Sequence, residues 1–396
     1  MDIKQEYQRA INPHSFNEFL DGGGALTNRA ELAAESQYDW HARKLRFEEH
    51  FRGQVLMQAT AYRSTRDQQW AAENDLLFAA NGAAVTISVS GLAQANKNRP
   101  LAPYVEMLQQ VLAAVSALPH RKLRALDKQT WQGIVDLLQN VTLFDATVID
   151  LPPKLRDAAP ALSRSETDAA LKMQLRLDGQ SGAIQHLMFT PATGSDSPYL
   201  TELLGDLDAQ SDEIFVFDGG YWKMDTYHTI VDSGNHFVTK RAGRIEPHVV
   251  RSLPLPADPL PNGYTVLEDT LVHLGEDRTR LYRCVRIRLS TNEEITLLTS
   301  MVAAPVAQIC LLYHYRWTIE IVFRWLKQTL QLDHLISHDP TGILRQILVA
   351  LIVWGLLIIA NQDASKLSPK ALWRQLMADL HQAIFDLGFC LGQEHT

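Results

Sequence analysis

The sequence predicts an α/β fold: a mixed sheet core with helices on both faces, a helical N-terminal region and a mostly β insertion. Three observations predict it. Residues 1 to about 136 carry helix-length stretches separated by turn signals. Near residue 137 the texture changes to short runs of β-branched and aromatic residues, alternating with short helical stretches. From residue 306 two long stretches suit packed helices.

In the N-terminal region, Asp21-Gly22-Gly23-Gly24 is a break. Asn28 to about Thr60 then carries Leu32, Tyr38, Trp40, Leu45, Phe47 and Phe51 in an irregular amphipathic pattern. A second helix is expected over Thr65 to Ala80, ending at Asn81-Gly82, and a third from about Pro103 to Leu118. Val85 to Asn96 could form a turn and a recognition-type helix, although such helix pairs more often serve plain packing. Val141 to Ile149 reads as the first strand, closed by Leu151-Pro152-Pro153. Met173 to Leu177 and Ala183 to Thr190 read as a hairpin around Asp178 to Gly182. A helix around Tyr199 to Leu207, a strand over Glu213 to Phe217, a helix over Tyr227 to Ser233 and a strand over His236 to Lys240 follow. Thr265 to Val272, Arg280 to Leu289 and Glu294 to Thr299 read as antiparallel strands. Val306 to Leu332 reads as one long helix without Pro or Gly, Ile343 to Ala360 as another, and Pro369 to Leu387 as a helical tail.

These elements suggest five segments: a helical region over 1–136, a first core part over 137–241, a β-rich insertion over 242–300, a second core part over 301–362 and a tail over 363–396. With 46% hydrophobic and 21% charged residues among 396, a disordered or fibrous chain is excluded. The net charge of -8 argues against a molecule coated in positive charge but leaves room for a local basic groove. Cys284, Cys310 and Cys390 are too widely spaced for a zinc pattern or a disulfide framework, which fits a reducing, cytoplasmic setting. The start MDIKQEY has no apolar core of a secretory signal. The longest apolar run, Ile347 to Ala360, falls short of the roughly 20 residues of a membrane span, so a buried core helix and no membrane are expected.

The chemistry gathers on the helix from 306. Tyr313, Arg316, Glu320 and Lys327 fall within about a 60° arc of one helix face. A carboxylate, two cations and a phenol suit a divalent metal beside phosphates, although an exposed helix laced with ion pairs would look the same. Two strand acids shift the balance. Asp145 sits mid-strand in an apolar run, where a charge costs several kcal/mol unless paired or metal-bound. Asp218 follows Ile214 to Phe217 and precedes two glycines. Three carboxylates from two strands and a helix are what two-metal phosphoryl transfer requires. Asp150 is the rival first acid, on the opposite strand face; Asp145 is preferred because Thr147 shares its face. The histidines show no ligand spacing, and His228, His236 and His248 read as structural. Gly22-Gly23-Gly24 lacks the Gly-Lys-Ser/Thr of a phosphate loop. Trp40, Trp70, Trp131, Trp354 and Trp373 are expected in the core.

The segment Tyr313-His-Tyr-Arg316-Trp-Thr-Ile-Glu320-Ile-Val-Phe-Arg-Trp-Leu-Lys327 resembles the Y-R-E-K signature of IS4-type insertion-sequence transposases. Phe217-Asp218-Gly219-Gly220-Tyr221, with Gly234 to Arg241, resembles that family's second-aspartate block. Phe144-Asp145-Ala146-Thr147 with Leu151-Pro152 resembles the first, and Lys172 and Thr193-Gly194 also fit. The resemblance covers roughly 137 to 345. It implies a ribonuclease-H-like core with a β domain inserted between the second Asp and the Glu. It implies that Asp145, Asp218 and Glu320 bind two Mg2+ ions, for which Mn2+ can substitute. It further implies cut-and-paste transposition, with cleavage of the element's ends and joining of the 3′-OH to target DNA. The implied partners are double-stranded DNA, as terminal inverted repeats and target, and a second copy of the chain, in the cytoplasm at the nucleoid. Tyr313, Arg316 and Lys327 would hold phosphates, and Lys240 and Arg241 belong to the same DNA-binding set. Arg278, Arg280, Arg286 and Arg288 would share one face of a regular strand and supply cations that the acidic chain otherwise lacks. Between Trp222 and Trp317 there is no Trp to stack on a flipped base, as some relatives have; Tyr264 and Tyr282 are aromatic alternatives. A catalytically silent relative that binds DNA ends and represses is the alternative reading.

Overall fold

The computed structural model describes residues 13–59, 64–75, 77–79, 81–118, 140–161, 169–179, 183–207, 212–242, 246–260, 263–328 and 330–360. It divides into two compact units, one made of 1–118 with 324–396 and the other of 119–323. The expected helical tail, Trp131 and Trp373 lie outside the described residues.

The first unit is helical: α1 (Pro13–Asp21), α2 (Arg29–Glu35), α3 (Phe47–Ala59), α4 (Thr65–Asn74), α5 (Val89–Asn98), α6 (Ala102–Ser116) and α11 (Pro340–Ala360). The expected stretch from Asn28 to Thr60 is two helices, because residues 36–46 form turns around buried Tyr38 and Leu45. The helix from Thr65 ends at Asn74, well before Asn81-Gly82. By length and composition α11 could cross a membrane, yet 78% of its most apolar window is buried inside the protein. It packs on α3, α5 and α6. Its buried Arg345 donates to the carbonyls of Asn96 and Arg99, so a cation satisfies the C-terminal end of α5. Trp354 is buried in α11 beside Trp325, as expected, whereas Trp40 and Trp70 are exposed.

Among the described residues the second unit is built on nine strands: β1 (Val141–Leu151), β2 (Ala169–Asp178), β3 (Ile184–Pro191), β4 (Ile214–Phe217), β5 (His236–Lys240), β6 (Pro247–Ser252), β7 (Thr265–Leu274), β8 (Tyr282–Arg288) and β9 (Glu294–Thr299). Their order across the sheet is β3-β2-β1-β4-β5-β9-β8-β7-β6. β1, β4 and β5 run parallel, while β2 and β3 form an antiparallel hairpin on β1. Parallel central strands buried on both faces read as unbroken apolar runs, as Ile214 to Phe217 does. The β-rich segment after residue 242 continues this sheet, with β9 pairing antiparallel to β5. Its strand from Arg280 begins instead at Tyr282, so Arg278 and Arg280 lie in the preceding turn, away from Arg286 and Arg288.

The helices of this unit are α7 (Leu200–Leu204), α8 (Met224–Asp232), α9 (Val306–Tyr315) and α10 (Trp317–Gln328), and the boundary between units falls within α10. The single long helix expected from Val306 is two. The amide of Arg316 bonds the carbonyl of Tyr313, three residues back, and the chain tightens there. A buried ion pair anchors the approach to α9: Arg283 of β8 holds Asp269 of β7 at 2.6 and 2.7 Å and also donates to the carbonyls of Val302 and Ala304. α9 lies against β4, β5 and β9, and its Tyr315 hydroxyl donates to the carbonyl of Gly179 at the end of β2.

Candidate active site

Strand pairing sets the two aspartates side by side. Phe144 of β1 is the register partner of Phe217 of β4, so Asp145 and Asp218 are the next residues on adjacent parallel strands. β4 ends at Phe217 while β1 continues, and the sheet opens at this point. Asp145 Oδ1 accepts the N–H of Ala146 at 2.8 Å. Asp218 caps the short turn Gly219–Tyr221, its Oδ2 accepting the Gly220 N–H at 3.4 Å. The turn needs glycine, because a Cβ on Gly219 would lie 2.7 Å from the Lys240 carbonyl oxygen.

The α9–α10 pair brings the remaining groups. Arg316, at the tightened junction, donates to Asp145 Oδ2 at 2.7 Å and to Glu320 Oε1 at 2.8 Å. Its guanidinium lies 5.5 Å from the centroid of the Tyr313 ring, and the Tyr313 hydroxyl donates to Asp218 Oδ1 at 3.3 Å. One arginine and one tyrosine thus reach all three acids. The arginine side chain is 8% exposed, Asp145 17% and Glu320 38%, so the cluster is closed at Asp145 and open at Glu320.

Burial pushes the Asp145 carboxyl up from 3.8 to about 6; Arg316 and the Ala146 amide oppose this, and the charges of Asp218 and Glu320 add to it. Burial disfavours the Arg316 charge, but Asp145, Tyr313, Asp218 and Glu320 outweigh it and hold the guanidinium charged. Burial, opposed by Arg316 and assisted by Asp218, also keeps the Tyr313 hydroxyl protonated and a donor. Three carboxylates against one guanidinium leave a deficit of positive charge, and every candidate ligand atom is an oxygen. That donor set fits a hard divalent cation. Among the described residues, no three His, Cys, Asp or Glu side chains already stand at metal-binding distances from one another.

The other expected residues fall elsewhere. Asp150 is exposed on the opposite face of β1. Lys327 lies half-buried on α10, two turns beyond Glu320. The cations of the β segment are matched by nearby carboxylates, Arg280 by Asp232 and Asp277, Arg286 by Glu268 and Glu294, and Arg288 by Glu294, and Lys240 at the end of β5 is matched by Glu293. Arg241 extends the sheet, its amide bonding the Thr296 carbonyl. Sequence reasoning missed Gln174 and Asp196. Gln174 is buried on β2 opposite Ala146, and its amide donates to Asp196 Oδ1 at 2.7 Å. The available signal was a polar residue at the centre of an apolar strand.

Fold and site together define an α/β protein with a carboxylate centre where two parallel strands meet a helix. The family described as Transposase DDE domain matches residues 136–356, and the chain belongs to that family. It is similar to y4zB, named as a transposase, of Sinorhizobium fredii (strain NBRC 101917 / NGR234): 27% identical over 273 residues, covering 68% of this chain and 70% of that protein. A protein of Geobacillus stearothermophilus named as a transposase for insertion sequence element IS5377 is 26% identical over 157 residues, 39% of this chain and 41% of its own length. The transposase for insertion sequence element IS231E of Bacillus thuringiensis subsp. finitimus is 24% identical over 106 residues, 27% of this chain and 22% of its own length.

Proposed function

We propose that the chain is a DNA transposase that cleaves the ends of an insertion sequence and joins the freed 3′-OH to target DNA. One observation carries this reading: Arg316 spans Asp145 and Glu320 while Tyr313, one turn earlier, reaches Asp218. A plain ion-paired helix would not address two strand acids from one turn. Asp145, Asp218 and Glu320 would hold Mg2+, and the bound cations would supply the charge that in-line displacement at a phosphate needs. The chain's own groups do the rest. Arg316 orients Asp145 and Glu320 and presents a guanidinium to a phosphate. Tyr313 fixes Asp218, and Lys327 offers a further cation along the helix.

The strand order β3-β2-β1-β4-β5, with β1, β4 and β5 parallel, supports the ribonuclease-H-like reading of the core. On this reading the strands β6–β9 would be the insertion. We assign DNA contact to the N-terminal helical region as well. Arg43, Lys44 and Arg46 are exposed there beside Trp40, 69% exposed, and form no ion pair among the described residues. Double-stranded DNA, as terminal repeat and target, and a second copy of the chain complete the reading, in the cytoplasm.

The test pairs binding with cleavage. The DNA flanking this reading frame should be bound in gel shifts, nicked at the element's ends with Mg2+ or Mn2+, and joined to a target. Binding without nicking under any divalent cation would instead favour the silent, repressing relative.

A further inference from the structure

A fourth carboxylate stands beside the site. Asp196, in the loop after β3, uses one oxygen for two buried donors: Lys172 Nζ at 2.9 Å and Gln174 Nε2 at 2.7 Å. Lys172 and Gln174 are alternate residues on one face of β2. The other oxygen rests against the turn that carries Asp218. A Cβ on Gly220 would lie 3.4 Å from Asp196 Oδ2 and 3.9 Å from Asp218 Oδ2. The same turn is tied twice more: the Tyr221 hydroxyl donates to Gln174 Oε1, and the Ser197 hydroxyl donates to the Trp222 carbonyl. Gln174 in turn stands opposite Ala146, whose amide holds Asp145. The Tyr221 hydroxyl is held protonated by burial and by the charges of Asp196, Asp145 and Asp218, so one buried hydroxyl senses all three.

Lys172 has a second partner, the Gly194 carbonyl at 3.0 Å, but its only ion-pair carboxylate among the described residues is Asp196. A buried ammonium that loses its carboxylate seeks another, because an unpaired charge is costly in a low dielectric. Asp218, whose Oδ2 lies near the same Cβ position on Gly220, is a neighbouring one.

We propose that Asp196 is a positioning residue for the reaction, holding Lys172 away from Asp218 and, through Gln174 and Tyr221, fixing the turn that aims Asp218. Asp196 acts through Asp218 and touches neither the DNA nor the reacting phosphate. The inference rests on the transposase reading for its reaction, but its primary readout is independent of cleavage.

The experiment compares wild type, Asp196→Asn, Asp196→Asn with Lys172→Met, and Tyr221→Phe. Mn2+ binding to the DNA-free protein is followed by loss of its free-ion EPR signal, and nicking is measured at saturating DNA. Asp196→Asn should weaken Mn2+ binding by roughly tenfold or more and slow nicking by a similar factor, with DNA affinity unchanged. Removing the stranded ammonium with Lys172→Met should restore most of the Mn2+ affinity, a recovery that simple structural damage would not show. Tyr221→Phe, which deletes one hydroxyl, should slow nicking while leaving the DNA concentration for half-maximal rate in place. Equal Mn2+ binding by wild type and Asp196→Asn, no recovery in the double variant, or no Mn2+ binding by wild type would overturn the proposal. A wild type that binds Mn2+ but never nicks would sink the nuclease reading and leave the Mn2+ comparison to decide this one.

Discussion

Asp145 is the residue on which the electrostatics of the site turn. Its carboxyl titrates near 6 in the folded protein against an ordinary 3.8, with burial the main cause. The folded state therefore binds this proton more tightly than the unfolded chain. Its contribution falls as pH rises from about 4 to about 6 and then stays low, a loss on the order of 3 kcal/mol. Asp145→Asn should remove that window. In urea unfolding between pH 4 and 8, the stability difference between variant and wild type should move in the variant's favour across it; a constant difference would contradict the buried, cation-poor environment. The same sign governs cation capture, because a protonated Asp145 is a poor ligand: Mn2+ affinity should rise through pH 6. The importance of Asp145 was readable as an acid inside an apolar strand. Its tie to Arg316 was not, since 171 residues separate the pair and only the folded sheet brings them together.

At the scale of elements, β1, β4 and the helical pair at 306–328 could be read from residue runs alone. The runs are short, apolar and bounded by turn residues, and Y-x2-R-x3-E places its groups on successive turns. The junction at Arg316 could not be read, because no Pro or Gly marks it and the tightening is a tertiary event. The carboxylate partners of the cationic strand were hidden for a related reason. Arg286 and Arg288 look free in sequence, but β7 and β9 bring Glu268 and Glu294 beside them. Exposed pairs of this kind contribute about 0–1 kcal/mol, yet they neutralise the charge a phosphate would need. Arg286→Ala and Arg288→Ala should therefore leave the salt dependence of DNA binding nearly unchanged. Arg43→Ala and Lys44→Ala, on the turn segment between α2 and α3, should each reduce the magnitude of the log–log salt slope by about one. Gel shifts over a salt series separate the two sets, and the opposite ranking would move the DNA contact to the β segment.

For the molecule as a whole, the -8 charge and the mixed α/β plan were both available from composition and pattern. The continuity of the nine-stranded sheet was not, because β9 pairs with β5 across the 57 positions from Lys240 to its partner Leu297, a separation that local pattern does not encode. The helical unit depends on close approach within its core. A Cβ on Gly355 of α11 would lie 2.2 Å from Val111 Cγ1, so Gly355→Ala should cost about 1–3 kcal/mol in urea unfolding, despite alanine's better helix propensity. A stabilised variant would mean that α6 and α11 stand further apart. The central claim is that Asp145, Asp218 and Glu320 form one cleaving centre, and Glu320→Gln tests it most directly, since it keeps the shape and hydrogen-bonding reach of the side chain and removes its charge. Mg2+-dependent nicking of terminal-repeat DNA should be abolished in this variant while gel-shift affinity for the same DNA stays within about twofold of wild type. Nicking at the wild-type rate by Glu320→Gln would contradict the account.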